Sequence, residues 1–368
     1  MVKRLQINSD VLLSYIEGSG IALDTLQERV KDIGQFVGGE KMPTFNQLEK
    51  ISSLINVPVG LLTLKQQVNI DTQRLSFRTP NSAVVSKMSA ELRDTIIEMQ
   101  EKQSFLQEQI DDNLDLSSDN IRRIKDHIAI AEAIRARLRI PINHLGHSKD
   151  NPVRYFRNEI SKIGVFVFFN GKIRDNTHRP LSSDEFRGFS LKSAKAPIIF
   201  VNQKDSSNAQ LFTLVHELVH LFIDDEGIST ITEQRDFDHT QEEALVNRVT
   251  AEILVPKVLF EKETSLDVEE LSKKYKVSRY VIARRLLDLD KIDKSMYDSI
   301  IGSLTSNAKP RKKPKGGDYN KNLVFRVDDT FFRFVHNAIM QDRVSYTEAF
   351  RLVGTGYKGF KTLESELI

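Results

Sequence analysis

The chain has 368 residues, with 53 Lys and Arg against 51 Asp and Glu, a formal net charge of +2, and no cysteine. This length predicts two or three domains, and the near-neutral charge gives no overall field that favours nucleic acid or a membrane. The lack of cysteine excludes disulfides and cysteine-based zinc sites. No stretch approaches the roughly 18 apolar residues of a membrane span. The N-terminal residues lack the apolar core of a signal peptide, so we expect a cytoplasmic protein without membrane contact.

The sequence predicts two groups of helices in the first 140 residues. Over residues 1–65, apolar positions recur at helical spacing between glycine-containing turns, which predicts a small helical domain. Residues 66–140 predict a linker followed by long helices. One of these covers Lys87–Ile110, which lacks Gly and Pro, and another covers Ser117–Arg139 and ends before a proline.

The remaining residues predict a mixed region and a helical tail. Within 141–302, the short segments GVFVFF, FRGFSL and PIIFVN are rich in β-branched and aromatic residues and predict a small antiparallel sheet, after which helices resume. Residues 303–318 have the Pro, Gly and Lys content of a linker, and 319–368 predict a helical tail. The predicted fold class is therefore α+β and mostly helical.

The segment Leu211–Phe222, LFTLVHELVHLF, carries the most specific motif. One stripe of this otherwise apolar helix is polar and consists of Thr213, His216, Glu217 and His220. Two imidazoles one turn apart can bind one ion, and the glutamate beside the first can take a proton from water, as in the H-E-x-x-H zinc peptidases. We therefore predict His216 and His220 as metal ligands and Glu217 as the general base. The alternative, histidines that only hydrogen-bond, would bury three ionisable groups without an ion.

A catalytic zinc site also needs a third protein ligand and an open position. We expect a carboxylate from a later helix, predicted over Thr240–Leu254, and choose Glu243, which begins a polar stripe that continues through Asn247. Asn247 would then be a hydrogen-bond donor behind this ligand. Glu242 and His239 are the alternatives, and Glu243 would also suit an exposed position at a helix N-terminus.

These motifs together resemble a known family. FTLVHELVHL, followed by E-x-x-x-N-R-x-x-A-E-I-L-V-P, resembles the ImmA/IrrE metallopeptidases, and the likeness extends back through APIIFVN and FRGFSL to about Asn151. The resemblance implies a zincin-like core, with His216, His220 and Glu243 as ligands of Zn²⁺ and Glu217 as the base. Members typically cut a helix-turn-helix repressor at one site, so the expected partner is a protein substrate, a repressor or antitoxin-like regulator.

The peptidase interpretation carries two further expectations. An extended substrate would add to the sheet edge at the strand Pro197–Asn202. The group that stabilises the oxyanion is left open among His178, His239 and Tyr275.

Residues 12–64 resemble the helix-turn-helix domain of Xre/Cro-type regulators, most visibly in GEKMPTFNQLEKISSLINVPVGLLTL. The resemblance implies a recognition helix near Lys31–Gly38, with Lys31 and Gln35 as candidate DNA-binding residues. Asp32 would oppose phosphate contact, and Phe36 stands where the family usually has Trp. A fold retained for dimerisation or for a protein partner is therefore an equal expectation.

Two other basic segments invite the same question. Val268–Leu289 contains a helix, a short turn and a second helix with several arginines, but we favour packing beside the peptidase core over DNA contact. The run KPRKKPK at residues 309–315 is interpreted as a solvated linker.

Two functions of different class follow from these patterns. The first is a zinc endopeptidase that cleaves one regulatory protein in a stress, mobile-element or toxin-antitoxin context. The alternative is a non-catalytic transcription regulator or antitoxin, which binds DNA or a protein through its helix-turn-helix domain and uses the peptidase fold as a scaffold. The intact H-E-x-x-H motif favours the first, and a homodimer is left open.

Overall fold

A computed structural model describes residues 4–19, 23–55, 57, 59–66, 89–114, 116, 121, 123–146, 151–223, 228–229, 241–306 and 317–368. The chain divides into two compact units, residues 1–96 and 97–368. Each unit buries an apolar core of its own. Among the described residues, none of the helices is both long and apolar enough to cross a membrane.

Over residues 4–66, the described part of the first unit contains five short helices: α1 (Ser9–Gly18), α2 (Leu23–Arg29), α3 (Ile33–Val37), α4 (Phe45–Ile55) and α5 (Val59–Leu62). Their apolar residues meet in one core because each helix turns one face inward, and Leu12, Ile33 and Leu48 are fully buried there. Phe36 is also fully buried. The helix-turn-helix assignment of this unit stays a prediction.

The second unit is mostly helical. The long helix α6 (Ala90–Gln109) begins before the unit boundary and agrees with the helix predicted over Lys87–Ile110. The helices that follow are α7 (His127–Leu138), α8 (Pro152–Lys162), α9 (Ser207–Ile223), α10 (Gln241–Leu254), α11 (Lys257–Phe260), α12 (Val268–Tyr275), α13 (Arg279–Asp288), α14 (Lys294–Ser306), α15 (Tyr319–Arg326), α16 (Asp329–Met340), α17 (Tyr346–Val353) and α18 (Tyr357–Leu367).

A small mixed sheet lies among these helices. Its strands are β1 (Phe166–Asn170), β2 (Gly188–Leu191), β3 (Ile198–Asn202) and the two-residue β4 (Ile228–Ser229), in the order β1-β3-β2-β4. The prediction of an antiparallel sheet was wrong for one pair, because β1 runs parallel to β3. The strands β2 and β3 are antiparallel neighbours, and β3 rather than β2 lies beside β1. Two reversals of direction between β1 and β3 make that pair parallel.

The strand order also shows that the expected addition of an extended substrate to the strand Pro197–Asn202 was wrong. The strand Ile198–Asn202 pairs with β1 on one side and β2 on the other, so its backbone is not at a sheet edge. Among the described strands, the outer ones are β1 and β4. An extended peptide cannot add to β3 without displacing a neighbour, because both rows of its backbone groups face other strands.

The helix α9 packs directly on the sheet where β2 begins. A Cβ atom at Gly188 would lie 2.5 Å from Cγ2 of Thr213 and 2.8 Å from the carbonyl oxygen of Phe200. Only glycine therefore allows this close approach between strand and helix. The α9 residues between Ala209 and Phe222 are nearly all buried, and α10 packs on α9 as well as on α7.

A buried ionic cluster fixes the C-terminal end of α10. Arg285 from α13 pairs with the carboxylate of Glu252 and donates from Nε to the carbonyl oxygen of Val255 at 3.0 Å. Arg135 from α7 donates to the carbonyl oxygen of Glu252 at 2.8 Å. The carboxylate of Glu252 also accepts the backbone N–H of Lys257, where α11 begins. Four helices are thus tied together around one buried glutamate.

This cluster bears on the second helix-turn-helix candidate, Val268–Leu289. Its arginine at position 285 is buried and paired inside the core, and Tyr275 and Ile282 are also core residues. The two other arginines are partly exposed and pair with acids, Arg279 with Glu269 and Arg284 with Asp288. The favoured interpretation, packing beside the peptidase core, agrees with this arrangement.

The C-terminal half of α6 belongs to the interior of the second unit. Gln103 donates to the carbonyl oxygens of Leu191 and Ala196, at 3.1 and 2.9 Å, and so holds the turn between β2 and β3. Lys102 is buried and donates to Glu98 at 2.7 Å and to the carbonyl oxygen of Leu352 at 2.6 Å. These contacts make the end of α6 a structural support for the sheet and for the C-terminal helices.

Gly188→Ala should destabilise the second unit, because the added methyl group must displace the backbone of Phe200. We expect a loss of about 1–3 kcal/mol in the free energy of unfolding, as for other overpacked positions. The matched control is Gly302→Ala in α14, where a Cβ atom meets nothing within 4 Å and the change should be neutral or stabilising by about 1 kcal/mol. Scanning calorimetry would measure both, and equal melting temperatures for the two variants would contradict the packing argument.

Candidate metal centre

The helix α9 places two histidines on one face, one turn apart. His216 and His220 are 4% and 2% exposed, and their Nε2 atoms lie 3.1 Å from each other. The other faces of α9 are filled by apolar residues of the unit core, such as Leu214 and Leu218. The two imidazole nitrogens therefore point at one small region in an otherwise apolar environment, as the i, i+4 spacing predicts.

The helix α10 brings a carboxylate to the same point. Oε1 of Glu243 lies 3.2 Å from Nε2 of His216, and Oε2 lies 3.3 Å from Nε2 of His220. The side chain of Glu243 is 20% exposed, so this corner of the cluster is the one nearest solvent. Among the described residues, these three form the group of His, Asp and Glu side chains that can hold a metal ion.

The separations of these donor atoms are compatible with a zinc ion. Ligands at about 2.0–2.1 Å in a tetrahedron lie about 3.3 Å from one another. The two Nε2 atoms lie 3.1 Å apart, and each has its own carboxylate oxygen of Glu243 nearby, Oε1 at 3.2 Å from His216 and Oε2 at 3.3 Å from His220. Two imidazole nitrogens and one carboxylate also make up the donor set of many catalytic zinc sites, in which the fourth position is open. His216, His220 and Glu243 can therefore act as three ligands and leave one coordination position for a reactant.

The electrostatics of Glu243 suit a ligand. Burial raises the pKa of this carboxyl group, but hydrogen bonds from His216 and His220, together with their charge, outweigh the burial and lower the pKa well below its usual range. Glu243 is therefore ionised at neutral pH, as a carboxylate must be to bind a metal.

Glu217 lies beside the cluster and is held against the sheet. It is fully buried, and its Oε2 accepts a hydrogen bond from Oγ of Ser190 at 3.0 Å. The close approach at Gly188 makes this contact possible, since a Cβ atom there would lie 3.5 Å from Cγ of Glu217. The carboxylate next to the first histidine therefore has a position fixed by both α9 and β2.

The contact of Ser190 with Glu217 was not predicted from the sequence. All four residues of β2 are buried, and Ser190 is the polar one in the segment GFSL. A buried hydroxyl needs a partner, so a lone serine in an apolar strand was the available signal. The sequence alone could not identify the partner, because the contact joins a strand to a helix that is distant along the chain.

The side chains of the predicted polar stripe on α10 have different environments. Nδ2 of Asn247 lies 3.5 Å from Oε1 of Glu243, at the outer limit of a hydrogen bond. Thr250, one turn further, is fully buried. Val246 and Val249 of the same helix belong to the unit core.

The remaining candidates lie elsewhere or outside the described residues. His239 falls outside them, and Glu242 lies in α10 with a side chain that the structure does not describe. His178 is exposed in the connection between β1 and β2. Tyr275 packs against Phe260 and donates its hydroxyl to Glu263 at 2.8 Å. That phenol is therefore occupied in a structural contact.

The candidate DNA-binding residues belong to the first unit. Lys31 and Gln35 are both exposed, Lys31 just before α3 and Gln35 within it. Asp32, whose negative charge would oppose contact with a phosphate, forms an ion pair with Lys41 at 2.7 Å. The hydrogen bond from Lys41 and the nearby positive charge lower the pKa of Asp32, and they outweigh its desolvation, which raises the pKa.

Comparison with known families places the site within a peptidase region. The model of peptidase family M78, described as the IrrE N-terminal-like domain, matches residues 164–287, about a third of the chain. This match spans β1 to α13 and includes His216, His220, Glu243 and Glu217. A second model, of a domain of unknown function, matches residues 327–366. No curated protein and no solved structure matches the chain. The family match and the cluster together support a metallopeptidase-type function for the second unit.

Metal binding should depend on the three clustered side chains. We expect the wild type to hold about one zinc ion per chain. Loss of a side chain that only hydrogen-bonds to a metal ligand lowers metal affinity by roughly 10–100-fold. We expect His216→Ala and Glu243→Ala, which remove a ligand itself, to lower the zinc affinity by more than that. The matched control is His178→Ala, which removes an exposed imidazole. Competition with a chromophoric chelator, with elemental analysis, would measure these affinities. An equal loss in the control, or a wild type without bound zinc, would contradict the assignment.

Proposed function

We propose that this protein is a zinc-dependent endopeptidase, with His216, His220 and Glu243 as metal ligands and Glu217 as general base. The observation that carries the proposal is that the Nε2 atoms of His216 and His220 lie 3.1 Å apart and each lies within 3.3 Å of a carboxylate oxygen of Glu243. The buried carboxylate of Glu217 follows His216 on the same helix. The donor set supports zinc over magnesium or calcium, because those ions prefer oxygen ligands whereas imidazole suits zinc.

The residues of the site divide the chemistry between them. A zinc ion, when bound, supplies Lewis acidity towards the scissile carbonyl group and the attacking water. Glu217 accepts the proton of that water and passes it to the leaving amine. Ser190 holds one carboxylate oxygen of Glu217, so that the carboxylate keeps one orientation during the transfer.

For the substrate, we propose a regulatory protein such as a helix-turn-helix repressor or an antitoxin-like regulator, in a stress, mobile-element or toxin-antitoxin context. The support is the sequence resemblance to the ImmA/IrrE metallopeptidases and the match of residues 164–287 to the IrrE N-terminal-like domain. The first unit would contribute recognition, and its exposed Lys31 and Gln35 are the side chains to test for DNA contact.

The alternative function, a non-catalytic regulator on a peptidase scaffold, explains the site less well. A scaffold has no use for a fully buried carboxylate at Glu217 beside two buried histidines, since burying ionisable groups without a functional partner is costly. An apolar residue at position 217 would pack against β2 at lower cost. The presence of all four ionisable groups, His216, Glu217, His220 and Glu243, is what a catalytic site requires.

Glu217→Gln should greatly slow cleavage and leave zinc content unchanged, because the amide keeps the shape of the carboxylate but cannot accept the proton. We expect a fall of about 10²–10⁴-fold in the cleavage rate, the usual contribution of a general base. The measurement is incubation of the zinc-loaded protein with helix-turn-helix regulators encoded beside its gene, followed by mass spectrometry of the fragments.

The matched control for this experiment is Glu261→Gln, an exposed acid of the same unit. It should cleave as the wild type does. Removal of zinc with a chelator should stop cleavage, and added zinc should restore it. Cleavage by Glu217→Gln at the wild-type rate would exclude the catalytic role and favour the scaffold function.

A further inference from the structure

The strand β1 is an outer strand of the described sheet, and side chains contact the edge that faces away from β3. The N–H of Phe166 donates to the carbonyl oxygen of Pro197 at 2.9 Å, and the carbonyl oxygen of Asn170 accepts from Gln203 at 2.8 Å, so these residues face β3. In a parallel pair, alternate residues turn their backbone groups to opposite sides. Val167 therefore turns its N–H and C=O away from β3, towards the edge.

Two buried charged side chains satisfy these outward groups. The N–H of Val167 donates to Oδ2 of Asp328 at 3.0 Å, and its carbonyl oxygen accepts from Nη2 of Arg157 at 3.0 Å. Asp328 and Arg157 are 1% and 7% exposed. One acceptor and one donor thus take the positions that the backbone of a neighbouring strand would occupy at this residue.

The same two side chains bind the C-terminal segment. Arg157 donates to the carbonyl oxygens of Phe325 and Val327. Asp328 accepts the N–H of Phe331 at 3.0 Å and so caps the N-terminus of α16. The guanidinium group of Arg157 also lies over the rings of Phe169 in β1 and Phe325 in α15, 5.5 and 5.6 Å from their centres.

A helix cap alone does not explain such deep burial of Asp328. Caps are usually made at the surface, where the carboxylate is also hydrated, whereas Asp328 is enclosed and also accepts from Oγ of Ser161 at 3.3 Å. Burial raises the pKa of Asp328, opposed by the positive charge of Arg157 and by two backbone N–H groups. A buried charge is retained where several hydrogen bonds satisfy it, and one of these bonds goes to the sheet edge.

We propose that the segment from Phe325 to Phe331 is a built-in partner of the β1 edge. The region matched as a domain of unknown function, residues 327–366, is then a structural part of the peptidase unit that closes this edge of its sheet. A second copy of the chain or an extended peptide is thereby prevented from adding to β1, since an edge with free backbone groups is a template for strand pairing. The inference does not require the proposed peptidase activity.

The test is hydrogen exchange of the full-length protein, followed by mass spectrometry, in Asp328→Asn. An asparagine can accept one of the two backbone N–H groups but presents an NH₂ group to the other. We expect peptides that cover residues 164–170 and 327–340 to exchange faster together, by about tenfold or more, as for loss of a hydrogen bond to a charged group.

The matched control is Asp329→Asn, which removes the same charge from the adjacent, exposed residue and should leave exchange over 164–170 unchanged. Faster exchange confined to 327–340 in Asp328→Asn would show a helix cap only and would overturn the proposal. So would unchanged exchange in both peptides. If Asp328→Asn does not fold, Arg157→Lys supplies the same test, because an ammonium group cannot reach the three carbonyl groups that the guanidinium joins.

Discussion

The close approach of α9 to β2 at Gly188 is the constraint on which the candidate site depends. A side chain at this position would overlap Thr213 and the backbone of Phe200, so glycine sets the distance between helix and sheet. That distance brings Ser190 within 3.0 Å of Glu217. Fixed on this side by the sheet, α9 turns its two histidines to the side where α10 supplies Glu243.

The part of the site that lies within one helix could be predicted from the sequence. The spacing of His216, Glu217 and His220 determines their directions, because side chains four residues apart share a helix face. Glu243 could be chosen by its place in a polar stripe, although the sequence left Glu242 and His239 open. The structure places Glu243 at the two imidazoles. Metal binding at this cluster, the identity of the metal and the substrate stay predictions.

Contacts between distant elements could not be predicted in the same way. The apolar pattern gave the three strands within two residues of their observed ends, but a strand pattern carries no information about neighbours. The parallel pairing of β1 with β3 was therefore missed. Ser190 and Asp328 were missed for the same reason, since each looks ordinary in sequence, one as a strand serine and the other as a helix cap.

Two buried clusters of charged side chains join elements of the second unit. The cluster around Glu252 fixes the last turn of α10, two to three turns beyond Glu243, to α7 and α13. On the outer side of the sheet, Arg157 and Asp328 fix β1 to α8 and to the C-terminal helices. Buried charges contribute little net stability, but they are costly to separate from their partners, so they penalise alternative packings. A site whose donor atoms must stay within a few tenths of an ångström needs such a scaffold. We therefore expect these charges to act more on the uniqueness of the packing than on its stability.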